Sequence, residues 1–174
     1  MDTSFFDYLQ QLELIAFFSG YPLIYALIVV FAGKNQSKRS FKNKLVLLLP
    51  FAYALVGTLY LGLQLKNLYP DYSIENIKQI FQGSYLKIWG ILSMLFWIPV
   101  FSRKTIFSLL HSLIFFFLLG KTLFLYLFKA TEQINISNEM KIYTDSLLLN
   151  TGCLVIITFF YLLLKQLNKR SVHH

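Results

Sequence analysis

Long apolar runs separated by short polar segments alternate along this chain, and none carries the period-two alternation of a membrane-barrel strand. A helix needs about 20 mostly apolar residues to cross about 30 Å of hydrocarbon. Five stretches read as such spans, 14–33, 45–65, 86–101, 106–128 and 146–164, joined by polar segments. Lipid offers no partner to a backbone N–H or C=O, so runs of this kind are predicted as helices, which satisfy those groups internally. Gly20 and Pro22 predict a kink in the first span, and Pro50 lies in the first two turns of the second. The third is the shortest, with Lys87 near one end and Pro99 near the other. Before it, Ile74, Ile77, Ile80 and Phe81 recur at helical spacing behind a candidate N-cap at Ser73, which predicts a short interfacial helix over 73–82. Residues 129–145 are polar, of mixed charge, and read as a plain connector. The fold class that follows is an all-α integral membrane protein, a single domain over 1–174 built as a bundle of about five transmembrane helices.

Charge adds an orientation. The segment 34–44 carries Lys34, Lys38, Arg39, Lys42 and Lys44; the turn between the third and fourth spans carries Arg103 and Lys104; the tail carries Lys165, Lys169 and Arg170. With five crossings these ten basic residues fall on one side without a single acid, and all eight acids fall on the other. Cytoplasmic loops are enriched in Lys and Arg, so the N-terminus is expected outside and the C-terminus inside. The basic side is expected to contact anionic lipid headgroups, at about 1 kcal/mol per residue close to the surface. Nucleic acid is not an expected partner, because the positive-inside requirement accounts for the whole basic segment.

Composition agrees. A soluble domain carries about 25% charged residues; here the figure is 14%, with 56% apolar or aromatic residues, 18% Phe, Tyr or Trp, and a mean hydropathy of +0.58. The first 13 residues hold Asp2, Asp7 and Glu13 and no Lys or Arg, the opposite of a signal-peptide n-region, so the opening helix is expected to persist in the mature protein. Abundant Lys, Phe, Ile and Asn suggest a bacterial cytoplasmic membrane.

Catalytic patterns are missing. There is no His-Glu-x-x-His pair, no Gly-rich phosphate loop and no Gly-x-Ser-x-Gly elbow, and Cys153 stands alone. No metal site and no cofactor are expected. Two ionisable residues nonetheless lie at hydrocarbon depth, where such groups are functional candidates by default. His111 is about two turns into the fourth span, sharing a face with Ser108 and adjacent to Ser112. A neutral imidazole bonded to a neighbouring helix is the structural alternative to a catalytic or proton-transferring one. Lys121 falls roughly 6 Å beyond the midplane of its span, at an insertion cost of about 1–2 kcal/mol. It reads as an interfacial anchor, as the partner of Glu13 in a buried ion pair, or as a ligand-binding lysine. Small residues at Ala16 and Gly20, Ala54 and Thr58, Ser108 and Ser112, and Asn150 to Gly152 are candidates for close helix contact.

The functional expectation is a non-enzymatic accessory or structural subunit that acts through contacts with a membrane-protein partner or a second copy. Its alternative is a small-molecule or lipid transporter or binding protein using His111 and Lys121. A lipid-modifying enzyme with His111 as base is the third possibility.

Overall fold

The computed structural model describes residues 12–31, 36–70, 72–76, 78, 85–128 and 136–171, and every regular element among them is helical. Helix α1 is Leu12–Val30, α2 is Gln36–Lys66, α3 is Tyr85–Leu92, α4 is Pro99–Ser102, α5 is Thr105–Phe128 and α6 is Ile136–Ser171. Among the described residues, three helical segments are long and apolar enough to cross a membrane: Leu12–Val30, Asn43–Lys66 and Lys141–Asn168. Tyr85–Trp97 and Thr105–Lys121 are apolar but shorter. The count of five full-length spans is therefore not confirmed, although α5 itself runs 24 residues over the fourth expected span.

The reason is clearest at the third expected span. After α3 the chain tightens into a 3-10 turn, Ser93–Trp97, and Ile98 is extended (φ −78°, ψ 126°) before α4 begins. The ring of Pro99 disfavours the helical region for the residue before it, which accounts for Ile98. Ser93 Oγ donates back to the Gly90 carbonyl at 2.6 Å, a bond that competes with the regular ladder. This irregular stretch lies against α2 where Gly57 has no side chain; a Cβ there would overlap Ser93 Oγ.

Other boundaries also move. A turn at Ser19 interrupts α1, where Pro22 removes the N–H that the Phe18 carbonyl would have accepted. The basic segment is helical from Gln36, so Lys38, Arg39, Lys42 and Lys44 lie on α2 rather than in a loop; Lys and Arg are good helix formers. Lys34 lies outside the described residues. The connector before the last span becomes helical at Ile136. Of the interfacial helix, only the turn Ile74–Asn76 and Lys78 are described, with the Asn76 N–H donating to Ser73 Oγ at 3.3 Å as an N-cap requires; the rest lies outside the described residues.

The contacts fix relative directions. Glu13, Phe17 and Tyr21 on α1 meet Gln64, Tyr60 and Tyr53 on α2, so numbers rise on one helix as they fall on the other. Gly90, Ser93 and Trp97 meet Tyr60, Gly57 and Phe51, which sets the segment 85–97 antiparallel to α2. Ser108 and Phe115 meet Tyr21 and Phe18, which sets α5 antiparallel to α1. Helices α1 and α2, the segment 85–97 and α5 thus alternate in direction. Helix α6 packs on α1 and α2 through Ser146, Asn150 and Cys153, all buried.

Candidate functional site

At the centre of the bundle the buried side chains are mostly aromatic. Phe18 on α1 has no exposed surface; its ring stacks on Phe115 (centroids 4.7 Å apart) and meets Tyr53 and Tyr60 edge-on at 5.7 and 5.4 Å. Tyr21 lies 4.5 Å from Tyr53. Rings this large fill space without charge, but each tyrosine brings a hydroxyl that needs a partner in an apolar interior. Two of those partners come from α5. Tyr21 Oη lies 2.7 Å from Ser108 Oγ, and the serine's own hydrogen goes to the Thr105 carbonyl at 2.7 Å, so Tyr21 donates. Tyr53 Oη lies 2.8 Å from His111 Nδ1.

His111 is the hub of this arrangement. Trp89 of α3 lies parallel to the imidazole, centroids 4.6 Å apart and planes 8° from parallel, and its indole N–H donates to the His111 carbonyl at 3.1 Å. Phe96 and Tyr53 face the ring edge-on at 5.8 and 5.6 Å. Tyr53 Oη is buried, and Nδ1 is the one acceptor it meets among the described residues. The arrangement that satisfies both groups has Tyr53 donating to Nδ1, which leaves the imidazole proton on Nε2. Nε2 is buried and has no partner among the described residues. A cleft of about 460 Å³ opens on the outside of the bundle, lined by Trp89, Phe96, Phe101, Phe107, Leu110 and His111 among others.

The remaining sequence candidates are dispersed. Ser108 and Ser112 are fully buried, but Ser112 Oγ only donates back to the Leu109 carbonyl at 2.8 Å. Glu13 accepts a hydrogen bond from Gln64 Nε2 at 3.2 Å, at the far end of α1 from Ser108. Lys121 is exposed on α5 and makes no ion pair with Glu13. It stands ten residues beyond His111, about 15 Å along the axis, so the two share no site. Arg103 and Lys104 are exposed at the turn before α5, and Lys104 Nζ lies 5.6 Å from the Phe107 ring centroid. Lys44 is exposed on α2. No group of three or more metal-ligating side chains is present among the described residues.

Tyr21, Tyr53 and Trp89 were not singled out by sequence pattern, yet the signal was there. Both tyrosines lie deep in apolar runs, and a deep hydroxyl implies a polar partner on a neighbouring span. Ser108, His111 and Ser112 are the cluster of such groups on the fourth.

A second polar cluster holds α6. Ser146 Oγ accepts from the Gly20 N–H (2.9 Å) and from Ser19 Oγ (3.2 Å) and donates to the Ile15 carbonyl (3.3 Å), which uses the hydroxyl fully. Asn150 Nδ2 donates to the Phe17 and Ser146 carbonyls at 2.8 and 2.9 Å. Comparison with protein-family models, curated proteins and solved structures finds no match to this chain.

Proposed function

We propose that this chain is a multi-spanning helical membrane protein of the bacterial cytoplasmic membrane, acting without catalysis as a subunit that binds a partner helix. One observation carries the partner reading. Only 11% of the membrane-length window of α6 is buried, against 44% for each of the windows in α1 and α2, and residues 159–168 are exposed on every side. That stretch is about 15 Å of helix presenting Phe159, Phe160, Leu163, Leu164 and Leu167. Its first half is fixed by Ser146 and Asn150, so the free half is held in a defined direction for another helix to pack against. Purification of the full chain in mild detergent is expected to yield a complex of defined mass, either with a second membrane protein or as a dimer. Phe160→Ala with Leu164→Ala is expected to release the partner and leave the thermal midpoint within about 2 °C, as lipid-facing substitutions do. A monomer under all mild conditions refutes the subunit reading.

The five-span topology belongs to the same proposal. It is supported by the alternating directions of α1, α2, the 85–97 segment and α5. It is also supported by the basic residues, which reach one side only if residues 85–102 cross despite their break. On a Cys153→Ser background, Ser40→Cys is expected to react with an impermeant maleimide only from the cytoplasmic side, and Ser137→Cys only from the opposite side. Labelling of both from one side refutes the topology.

A further inference from the structure

We propose that the cleft beside His111 binds the ring of a neutral, lipid-soluble quinone, whose carbonyl oxygen accepts a hydrogen bond from His111 Nε2. The inference rests on the membrane reading above and is independent of the partner helix on α6. Three features of the cleft select this class. Its volume of about 460 Å³ suits a ring with a short tail, since small-molecule sites run from about 300 to 1,000 Å³. Its lining is apolar and aromatic, with Trp89, Phe96, Phe101 and Phe107 offering flat faces to a flat ring. His111 stands in its wall, and the Tyr53 hydrogen bond sets up His111 Nε2, buried and without a partner among the described residues, as a donor. A phospholipid headgroup needs several polar partners and a charged ligand needs a counter-charge within the site; the residues lining the cleft carry no charge, and Lys104, whose Nζ lies 5.6 Å from the Phe107 ring centroid, is not among them. A ring carbonyl needs one donor and apolar surroundings, and a hydrocarbon tail leaves sideways past Leu110 and Phe107, which are exposed on the outside of the bundle. Nε2 has almost no exposed surface, so the carbonyl reaches it as the surrounding rings part.

The test uses the full chain in phospholipid nanodiscs, with a decyl-substituted benzoquinone as probe. Trp97→Phe leaves Trp89 as the sole tryptophan, in contact with the cleft. Titration is expected to quench its emission saturably. His111→Phe keeps a ring but removes the donor, and is expected to weaken binding by about tenfold, the loss of one hydrogen bond of about 1.4 kcal/mol. Leu110→Phe narrows the cleft from its exposed side, leaves the buried core intact, and is expected to abolish saturation. A decyl-substituted benzene, similar in shape but without carbonyls, is expected not to displace the quinone. Linear, unsaturable quenching, equal displacement by the benzene, or unchanged affinity in a folded His111→Phe protein each overturns the proposal. Failure here with the maleimide pattern intact removes the site alone; failure of the maleimide pattern removes the membrane frame itself.

Discussion

Gly20→Ala is expected to lower the stability of the bundle by about 1–3 kcal/mol, the range of a forced overpacking. A Cβ at this position would lie 2.7 Å from the Ser146 carbonyl oxygen and 2.8 Å from its carbon. Both are backbone atoms of α6, so no rotamer change relieves the clash, and the two helices must part by several tenths of an ångström. The same separation stretches the Gly20 N–H to Ser146 Oγ bond (2.9 Å) and the Asn150 Nδ2 to Phe17 carbonyl bond (2.8 Å), the polar contacts that hold α6 to α1. In lipid, close approach and such bonds drive association, because burial of apolar surface gains little where the solvent is itself apolar. Gly62→Ala and Gly152→Ala are the controls, since a Cβ at either position meets nothing within 4 Å. They are expected to be neutral or slightly stabilising through helix propensity. Thermal unfolding in one detergent, followed by circular dichroism, compares the three; a midpoint for Gly20→Ala equal to that of Gly152→Ala contradicts the close-packing account.

That contrast also marks how far the sequence was legible. Apolar run length located the helices, because the requirement is backbone satisfaction and it acts on every residue of a run alike. It overestimated 86–101, because a hydropathy sum does not see that Pro99 disfavours a helical Ile98 or that Ser93 turns its hydroxyl back to Gly90. Small-residue spacing nominated both Gly20 and Gly152 for close contact, and only Gly20 meets a neighbour. The two differ in which side of their helix faces the bundle, a property of the whole assembly that spacing along one helix does not encode. Ser108 and His111 were visible as polar groups on a shared face, but their partners were not. Tyr21 and Tyr53 find them only once α1, α2 and α5 converge. Tyr60, near the end of the second apolar run, is likewise fully buried, and its hydroxyl has no partner among the described residues.

Phe18→Ala is expected to cost about 2–3 kcal/mol, through a different mechanism from Gly20→Ala although it lies two residues away. The Phe18 ring touches Tyr53 and Tyr60 on α2 and Phe115 on α5, so its loss opens a cavity where three helices meet. A phenylalanine truncated to alanine leaves roughly 100 Å³, and about 24 cal/mol per Å³ gives the figure above. The water-to-core transfer contribution that raises such losses to about 3–5 kcal/mol in soluble proteins is largely absent when the separated helices remain in lipid. Phe18→Leu fills part of the space and is expected to recover more than half of the loss. The effect should reach the His111 cluster, because Tyr53 packs on Phe18 and holds Nδ1 at 2.8 Å. Near-ultraviolet circular dichroism, which reports the fixed asymmetry of packed Trp89 and Tyr53, is therefore expected to weaken in Phe18→Ala while far-ultraviolet helicity persists. An unchanged aromatic signal alongside a lowered midpoint would mean that the core around Phe18 and the rings around His111 pack independently, and that the bundle has two cores in place of one.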